Sequence, residues 1–354
     1  MFGPVNEEMI VLARQSRGLS QDALATKIGR TAGALSKMEH GIISTALPVA
    51  EEIASSLRYP IALFFRNERV RGTDSICFHH RKRQSMPVKL LTTVEAQMHM
   101  TQLQVSRLFE EVAAESPNQF LTLDPDEYEG SAERVAQILR SIWHLPRGPI
   151  RNLTQTLEAA GCIVVFRPFG TAKLDGMSCW ARSAPPLFFI NDASPTDRAR
   201  WTLAHELGHL VMHATAPSNP EAQADAFAAE FLAPALDSEG DFRGLQFGQL
   251  PGLKAKWRIS MSAIIAIASR RGLISEARTK SLWVQMSRSG FRLREPFPLT
   301  PEPPELLNQA LRVHQDEHEY SADELAKLMD LYPEEFKTLY GKSGSSFGGS
   351  LSVI

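Results

Sequence analysis

Three histidines and a glutamate lie at helical spacings in the stretch RWTLAHELGHLVMH, residues 200–213. His205 and His209 are four residues apart, so on a helix their imidazoles share one face and can bind one tetrahedral zinc ion. Glu206 lies beside them, where its carboxylate can hold a zinc-bound water and accept the proton that zinc makes acidic. The spacing therefore predicts a metal site with a general base rather than a buried helix that carries some polar residues.

A third ligand for this HExxH pattern can come from a later histidine or, as in gluzincin-type peptidases, from a glutamate on the next helix. His213 continues the same helix one turn beyond His209, too far along the axis to reach the same ion. We expect His213 to be structural, with a substrate or oxyanion contact as the alternative. The segment EAQADAFAAEFLAP supplies Glu221, which we assign as the third ligand. Asp225 shares its face and is assigned as the acceptor of a histidine N–H.

Two helices must position these side chains. The first is predicted to start with Ser194 as N-cap, Pro195 at the first helical position and Asp197 three residues after the cap. The second follows the turn APSNP, and its Glu230 is expected to point away from Glu221. The apolar stripes of the two helices are Leu203, Leu207, Leu210, Val211 and Ala214, and Ala224, Phe227, Ala228 and Phe231. The alanines allow the helices to approach closely enough to share a metal ion.

Three protein ligands leave the fourth zinc position for water and substrate, which is typical of a catalytic site, and we expect one zinc ion per chain. A structural zinc site does not need a base between its ligands. Tyrosine often stabilises the oxyanion in such sites, but none of the five tyrosines lies near the motif. The oxyanion-stabilising residue is therefore unassigned. The alternative interpretation is that the histidines are hydrogen-bonded core residues and that the glutamate lies on the surface. It requires that both helices match the pattern of a metal site by coincidence.

The composition of the 354 residues is that of an ordinary globular protein, with 43% hydrophobic and 22% charged residues. A net charge of -2 argues against nonspecific nucleic-acid binding by the whole molecule. The cysteines Cys77, Cys162 and Cys179 are odd in number and widely spaced, which predicts buried thiols rather than disulfides or a cysteine zinc cluster. The sequence contains neither a long apolar run nor a signal-peptide pattern, so we expect a cytoplasmic protein without membrane contact.

The order of elements predicts a mostly helical α+β protein with several units. Residues 1–66 have the pattern of five short helices, and residues 67–90 that of a basic linker. Residues 91–250 hold further helices, a small sheet and the two metal-binding helices. Residues 251–340 are predicted to form a helical, winged-helix-like C-terminal region. Residues 341–354 are rich in Gly and Ser and are predicted to be a flexible tail.

Local signals support parts of this division. Ser20 is a plausible N-cap of the second helix, and Gly29 lies where a left-handed residue ends that helix. The β-branched and aromatic runs CIVVFRPF, GMSCWARS and PLFFIND predict a small antiparallel sheet. The basic run HHRKR, residues 79–83, is interpreted either as a set of phosphate contacts or as a solvated connector.

The central region resembles the ImmA/IrrE family of zinc metallopeptidases. The resemblance rests on PPLFFINDASPTDRARWTLAHELGHLVMH followed by EAQADAFAAEFLAP, and it extends upstream through LDGMSCW and downstream through GFRLREP. It implies that His205, His209 and Glu221 bind zinc and that Glu206 is the general base. Asp225 is compatible with the role of an asparagine that often follows the glutamate ligand. Characterised members of the family inactivate repressors or antitoxins, which implies such a protein as the substrate.

The N-terminal segment RGLSQDALATKIGRTAGALSKMEHG resembles a Cro/repressor-type (XRE) helix-turn-helix. Such a domain places the start of its second motif helix, here residues 31–37, in the major groove. The candidate DNA-contacting residues are Gln21, Arg30, Thr31, Ser36 and Lys37. The run Ala-Gly-Ala at residues 32–34 offers little for reading bases, so the domain either binds DNA with weak specificity or docks on a protein. A homodimer is expected because such domains often bind paired half-sites.

Two functions fit these features. The first is an intracellular zinc endopeptidase that regulates transcription by cleaving a repressor or antitoxin-type protein, in a stress response or on a mobile or phage-related element, and is targeted or controlled by its own helix-turn-helix domain. The second is a transcriptional repressor or antitoxin in which the zinc domain is a sensor or scaffold without proteolysis. The base Glu206 between two ligands favours the first.

Overall fold

The structure is a computed structural model that describes residues 3–67, 75–78, 87–110, 112–114, 116–181, 184–213, 218–341 and 351–353. These residues form sixteen α-helices, a four-stranded sheet and a two-stranded sheet, so the mostly helical α+β class is confirmed. The strands are β1 (Ser75–Phe78), β2 (Val112–Ala114), β3 (Ile163–Arg167), β4 (Gly176–Ala181), β5 (Leu187–Asn191) and β6 (Leu351–Val353). The helices are α1 (Glu7–Ser16), α2 (Gln21–Lys27), α3 (Ala32–Glu39), α4 (Leu47–Leu57), α5 (Val88–Leu108), α6 (Ala132–Ile142), α7 (Leu153–Glu158), α8 (Thr196–Met212), α9 (Pro220–Leu232), α10 (Ala235–Phe242), α11 (Leu250–Trp257), α12 (Met261–Arg270), α13 (Glu276–Arg288), α14 (Leu306–Asp316), α15 (Ala322–Leu328) and α16 (Pro333–Tyr340).

The N-terminal domain has the five predicted helices, namely α1 to α4 and a 3-10 helix at Ile61–Phe65. Ser20 caps α2 as expected, because its side chain accepts a hydrogen bond from the backbone N–H of Ala23. Gly29 follows α2 with a φ of 62°, a left-handed conformation that glycine adopts without strain. These local signals set the turn between the two helices of the predicted DNA-binding motif.

This domain is packed against the far end of the chain. Helix α5 lies along α1, and α14 and α15 contact α5 in turn. Met9 of α1, Leu108 of α5 and Leu325 of α15 are all fully buried in one continuous hydrophobic core. The helix that follows the predicted linker therefore shares a core with the helix-turn-helix domain. The division of the chain at residue 90 stays a prediction.

The central sheet differs from the predicted antiparallel one. Its strand order is β1-β4-β5-β3, and β4 runs antiparallel to β1 and β5. However, β3 and β5 are parallel, with Ile163 opposite Leu187, so the sheet is mixed. Strand β4 runs opposite to β3, and the turn after β4 reverses the chain again. Strand β5 therefore runs in the same direction as β3. Apolar runs predict strands but carry no information on their relative direction.

The sheet separates two hydrophobic cores. Successive residues of a strand face opposite sides, so Ile163 packs into the core of the N-terminal domain and Val164 into the core around α8. Helix α8 lies on β4 and β5, and α9 packs against α8 and α6. The predicted apolar residues of these two helices are buried, apart from Ala214, which lies outside the described residues.

The start of α8 was predicted one residue too early. Pro195 is the N-cap and Thr196 the first helical residue, with no side-chain cap. The hydroxyl of Ser194 instead donates to Asp175 Oδ1 over 3.4 Å, while Asp197 forms an ion pair with Lys254. Asp197 lies in the first turn of α8, where its negative charge interacts favourably with the positive end of the helix dipole.

The described residues near the end of the predicted flexible tail form a strand, and the flexibility of the tail stays a prediction. Residues 351–353 form β6, which pairs antiparallel with β2, whereas residues 342–350 lie outside the described part of the chain. The preceding region, residues 251–340, is helical as predicted, and its described residues contain no strand that would form a wing. None of the described helices has the length and apolar character needed to cross a membrane.

Candidate metal centre and cleft

Close packing of α8 and α9 brings the predicted ligands together. Gly208 lies between the two histidines of the motif, and a Cβ atom there would lie 3.0 to 3.2 Å from atoms of Phe227 on α9. Only glycine therefore allows the two backbones to approach this closely without a shift of the phenylalanine. The sequence reasoning had attributed the approach to alanines alone, and Ala224 and Ala228 are indeed fully buried.

The structure groups His205, His209 and Glu221 so that one ligand atom of each lies within 4.8 Å of the others. The two Nε2 atoms are 3.1 Å apart, and Glu221 lies 3.5 Å from His205 Nε2 and 3.4 Å from His209 Nε2. Ligands at the usual zinc distances, placed at the corners of a tetrahedron, are separated by about 3.3 Å. The three side chains therefore fit a zinc ion in number, chemistry and spacing.

The outer hydrogen bond of His205 orients its lone pair. His205 Nδ1 donates to Asp225 Oδ1 over 3.0 Å, as predicted for Asp225. This bond fixes the proton on Nδ1 and leaves the lone pair of Nε2 directed at His209 and Glu221. On the far side of the carboxylate, Arg270 Nη2 lies 3.9 Å from Asp225 Oδ2.

His209 is oriented by two side chains: His213, which is expected from the sequence to be structural, and Gln223, which is not among the predicted site residues. His213 is fully buried, and its Nδ1 lies 2.9 Å from His209 Nδ1. His213 Nε2 donates to the amide oxygen of Gln223 over 3.1 Å, because an amide oxygen can only accept. His213 Nδ1 then accepts the Nδ1 proton of His209, which leaves the Nε2 lone pair of His209 free for a cation. The i, i+4 spacing from His209 was the available signal for His213.

Two lone pairs and a carboxylate converge on one point, and this concentrates negative potential there. Glu221 Oε2 is a buried atom with no hydrogen-bond partner among the described residues. Burial lowers the pKa of His205, but its hydrogen bond to Asp225 and the nearby carboxylates of Glu221 and Glu206 outweigh this effect and raise that pKa to about 9. In their protonated forms the adjacent His205 and His209 hold the pKa of Glu221 well below its usual range. The negative potential that favours a proton at this site also favours a divalent metal ion.

Glu206 lies beside the ligands and is held by the sheet. Its side chain is almost fully buried, and its Oε2 accepts a hydrogen bond from Ser178 Oγ over 2.7 Å. Ser178 lies on β4, the strand against which α8 packs. No local pattern in the sequence indicates this contact, because it joins residues of different elements. The bond leaves Glu206 Oε1 available to a water molecule.

A cleft of about 610 Å³ gives access to this centre. His205, Glu206 and Asp225 line it, together with α12 and the segment that follows α13. Gly176 lies in its wall at the start of β4, where a Cβ atom would come within 2.7 Å of side-chain atoms of Ile190 and Thr202. His205 and Glu206 therefore face a space large enough for several residues of a peptide.

Four of the five predicted DNA-contacting residues lie in α3 or directly before it, and Gln21 is the first residue of α2. Thr31 caps α3 by accepting from the N–H of Ala34, and Lys37 is exposed. Ser36 Oγ lies 3.5 Å from His40 Nδ1. Arg30 and Gln21 have protein partners: Arg30 lies 3.5 Å from Glu52, and Gln21 donates to Glu39.

Glu39 also forms a buried ion pair with Arg14, so Gln21 contributes to the core of the domain. The basic run at residues 79–83 lies outside the described residues.

The fold and site define a two-part class of protein, a helix-turn-helix domain joined to a domain with a peptidase-like metal centre. Residues 10–64 match the family model described as helix-turn-helix, and residues 157–266 match the model described as IrrE N-terminal-like domain, a peptidase family. In this order along the chain, the two matches are those of an ImmA/IrrE protein with an N-terminal XRE-type helix-turn-helix domain. Comparisons with curated proteins and with solved structures gave no match.

Proposed function

We propose that the chain is a zinc-dependent endopeptidase that regulates transcription by cleaving a repressor or antitoxin-type protein. One observation carries the proposal: His205, His209 and Glu221 converge at zinc-ligand spacing beside Glu206, and His205 and Glu206 line a cleft. The match to the IrrE-like peptidase family supports the reaction class. The helix-turn-helix match supports a role at DNA.

In this proposal His205, His209 and Glu221 hold the zinc ion. Bound zinc supplies a Lewis acid that polarises the scissile carbonyl and lowers the pKa of a water molecule. Glu206 accepts a proton from that water on Oε1, the oxygen that does not bind Ser178, and passes it to the nitrogen of the leaving amine. Burial of Glu206 and Ser178 excludes bulk water from this proton transfer.

The helix-turn-helix domain targets or controls the peptidase in this account. Residues 31–37 would enter the major groove, with Lys37 on phosphate and Ser36 on phosphate or a base edge. A repressor substrate bound at the same promoter would then be held close to the cleft, which raises its effective concentration. The same domain would place the protein on paired half-sites as a homodimer.

The test compares new protein N-termini by mass spectrometry in host cells that express either the wild type or Glu206→Gln, with and without DNA damage. We expect N-termini that appear only with the wild type, because the amide keeps the shape of Glu206 but cannot accept the proton. They would identify the substrate and its scissile bond. Identical N-termini in both strains, with regulation intact, would refute proteolysis and favour a repressor whose zinc domain is a scaffold.

A further inference from the structure

The segment after α13 forms one wall of the catalytic cleft. We call residues 291–298 the cleft loop. Arg292, Leu293 and Arg294 of this loop line the same cleft as His205 and Glu206. Leu293 is 97% exposed, and Phe297 in the same loop is 63% exposed. Leu293 in the cleft wall and Phe297 four residues later are two large apolar side chains in solvent on one loop, which indicates a binding surface rather than random exposure.

The backbone of the cleft loop holds one of these side chains in an unfavourable conformation. Phe297 has a φ of 55°, in the left-handed region that bulky residues rarely adopt. Such a conformation persists only where the surrounding structure imposes it, and it is often found at binding sites. The structure around the loop therefore holds the backbone of Phe297 in the conformation that exposes its side chain.

Glu295 fixes the cleft loop to the helices of the site. Its carboxylate accepts hydrogen bonds from the backbone N–H groups of Met261 and Ser262 at the start of α12, over 2.8 and 3.0 Å. Lys254, fully buried, pairs with Glu295 and also with Asp197 in the first turn of α8. The loop is thus tied to the helix that carries the metal ligands, and its side chains keep a fixed position relative to the metal centre.

Two positive charges of the cleft loop lack a carboxylate partner among the described residues. Arg198 and Arg270, which also line the cleft, lie beside Asp175 and Asp225. In the part of the chain that the structure describes, Arg294 has no acidic partner, and Arg292 contacts only the ring of Trp283, 5.2 Å away. These two guanidinium groups flank Leu293 and are exposed to an incoming ligand.

We infer that the cleft loop selects the substrate, and that it binds an extended polypeptide segment in which a large apolar side chain lies next to acidic residues. The apolar side chain packs on Leu293 and Phe297, while the acidic side chains pair with Arg292 and Arg294. The exposed Leu293 between two arginines fits a polypeptide better than a nucleic acid, because a phosphate backbone offers no large apolar side chain to pack on it. This inference rests on the proposed peptidase function and names its substrate class.

The test measures binding of short fluorescein-labelled degenerate peptides to the full-length Glu206→Gln protein with zinc, by fluorescence anisotropy. Three pools are compared: acidic residues with Leu and Phe, basic residues with Leu and Phe, and acidic residues with Ser. Because Glu206→Gln prevents cleavage, the anisotropy reports peptide binding alone. We expect the acidic apolar pool to bind about fivefold tighter than either other pool, since two exposed charge pairs and one apolar contact contribute effects of this size.

The variant Arg292→Glu with Arg294→Glu should abolish or reverse the preference for acidic peptides. The matched control is Arg278→Glu with Arg288→Glu, two exposed arginines of α13 outside the cleft, and it should keep the preference. Equal binding of the pools, an unchanged preference in the cleft-loop variant, or displacement of the peptides by single-stranded DNA of equal charge would overturn the inference. Cleavage by the wild type is measured separately, so failure of the preference is distinguishable from failure of the peptidase function.

Discussion

At the scale of residues, the proposed metal centre includes the side chains behind its candidate ligands. Asp225 orients His205, and the pair His213 and Gln223 orients His209. Partners of this kind fix the ring angle and the tautomer of a ligand, and their loss typically weakens metal binding. The site is therefore larger than its HExxH motif and its third ligand.

The first prediction concerns Gln223 and His213. We expect Gln223→Ala and His213→Ala each to lower zinc affinity about 10- to 100-fold, because His209 loses the acceptor that fixes its proton on Nδ1. The measurement is competition for zinc with a fluorescent chelator. His40→Ala, an exposed histidine on the helix-turn-helix domain, is the control and should keep wild-type affinity. Unchanged affinity in both site variants would show that His213 only fills space.

At the scale of elements, the approach of α8 and α9 decides whether three ligands can meet. Gly208→Ala forces Phe227 to move, since the new Cβ would lie 3.0 Å from its ring. We expect the free energy of unfolding to fall by about 1–3 kcal/mol. Zinc affinity should fall too, because α9 carries Glu221. Urea denaturation and zinc titration measure the two effects.

The matched control for Gly208 is Gly252→Ala in α11. A Cβ atom at Gly252 meets no other atom within 4 Å, so that variant should be neutral or slightly more stable. If Gly208→Ala behaved like Gly252→Ala in both measurements, close packing of α8 on α9 would not be what positions Glu221.

A second contact between elements predicts a pH dependence. Burial raises the pKa of Glu158, at the end of α7, to about 7, although its carboxylate accepts hydrogen bonds from the backbone N–H groups of Leu306 and Glu305. A folded-state pKa above the unfolded value means that the fold favours the protonated acid. Stability from this group is therefore present at acidic pH and is lost as pH rises through about 7.

Glu158→Gln removes that titration. We expect the free energy of unfolding of the wild type, relative to the variant, to fall by about 1–3 kcal/mol between pH values well below and above 7. Chemical denaturation across this range, with Glu334→Gln at an exposed position as the control, measures the difference. Parallel pH profiles of the wild type and Glu158→Gln would contradict the prediction.

At the scale of the whole molecule, the two ends of the chain are joined by ion pairs. Asp330, after α15, is buried and pairs with Arg107 of α5 and with Arg66 after the 3-10 helix. Arg17 of α1 pairs with Glu335 of α16. The helix-turn-helix domain is therefore part of one body with the C-terminal helices.

Loss of the Asp330 charge should destabilise this body strongly. We expect Asp330→Asn to lower the free energy of unfolding by about 3–5 kcal/mol, because the shape is kept but the buried guanidinium of Arg107 loses the carboxylate charge that balances it. Glu335→Gln breaks a partly exposed pair and should cost no more than about 1 kcal/mol. Urea denaturation should show a single transition for both domains. Separate transitions of the helix-turn-helix domain and the rest would contradict the common core.

The sequence predicted features that depend on local spacing. Residues such as His205, His209 and Asp225 could be found because a helix places every fourth residue on one face, and Ser20 because its cap lies within three residues. Contacts between distant segments left no such pattern. Ser178 is 28 residues from Glu206, and Arg107 is 223 residues from Asp330. The direction of β3 relative to β5 depends on the path of the chain, which apolar runs do not encode.

The central claim is that α8 and α9 together bind one zinc ion. The most direct test is diffraction at the zinc absorption edge from crystals of the zinc-loaded full-length Glu206→Gln protein, with the matched Glu221→Ala protein beside it. The account predicts one anomalous peak at about 2.0–2.2 Å from His205 Nε2, His209 Nε2 and a Glu221 oxygen, and its loss or weakening in Glu221→Ala. A peak elsewhere, or no peak at these residues in fully loaded crystals, would contradict it.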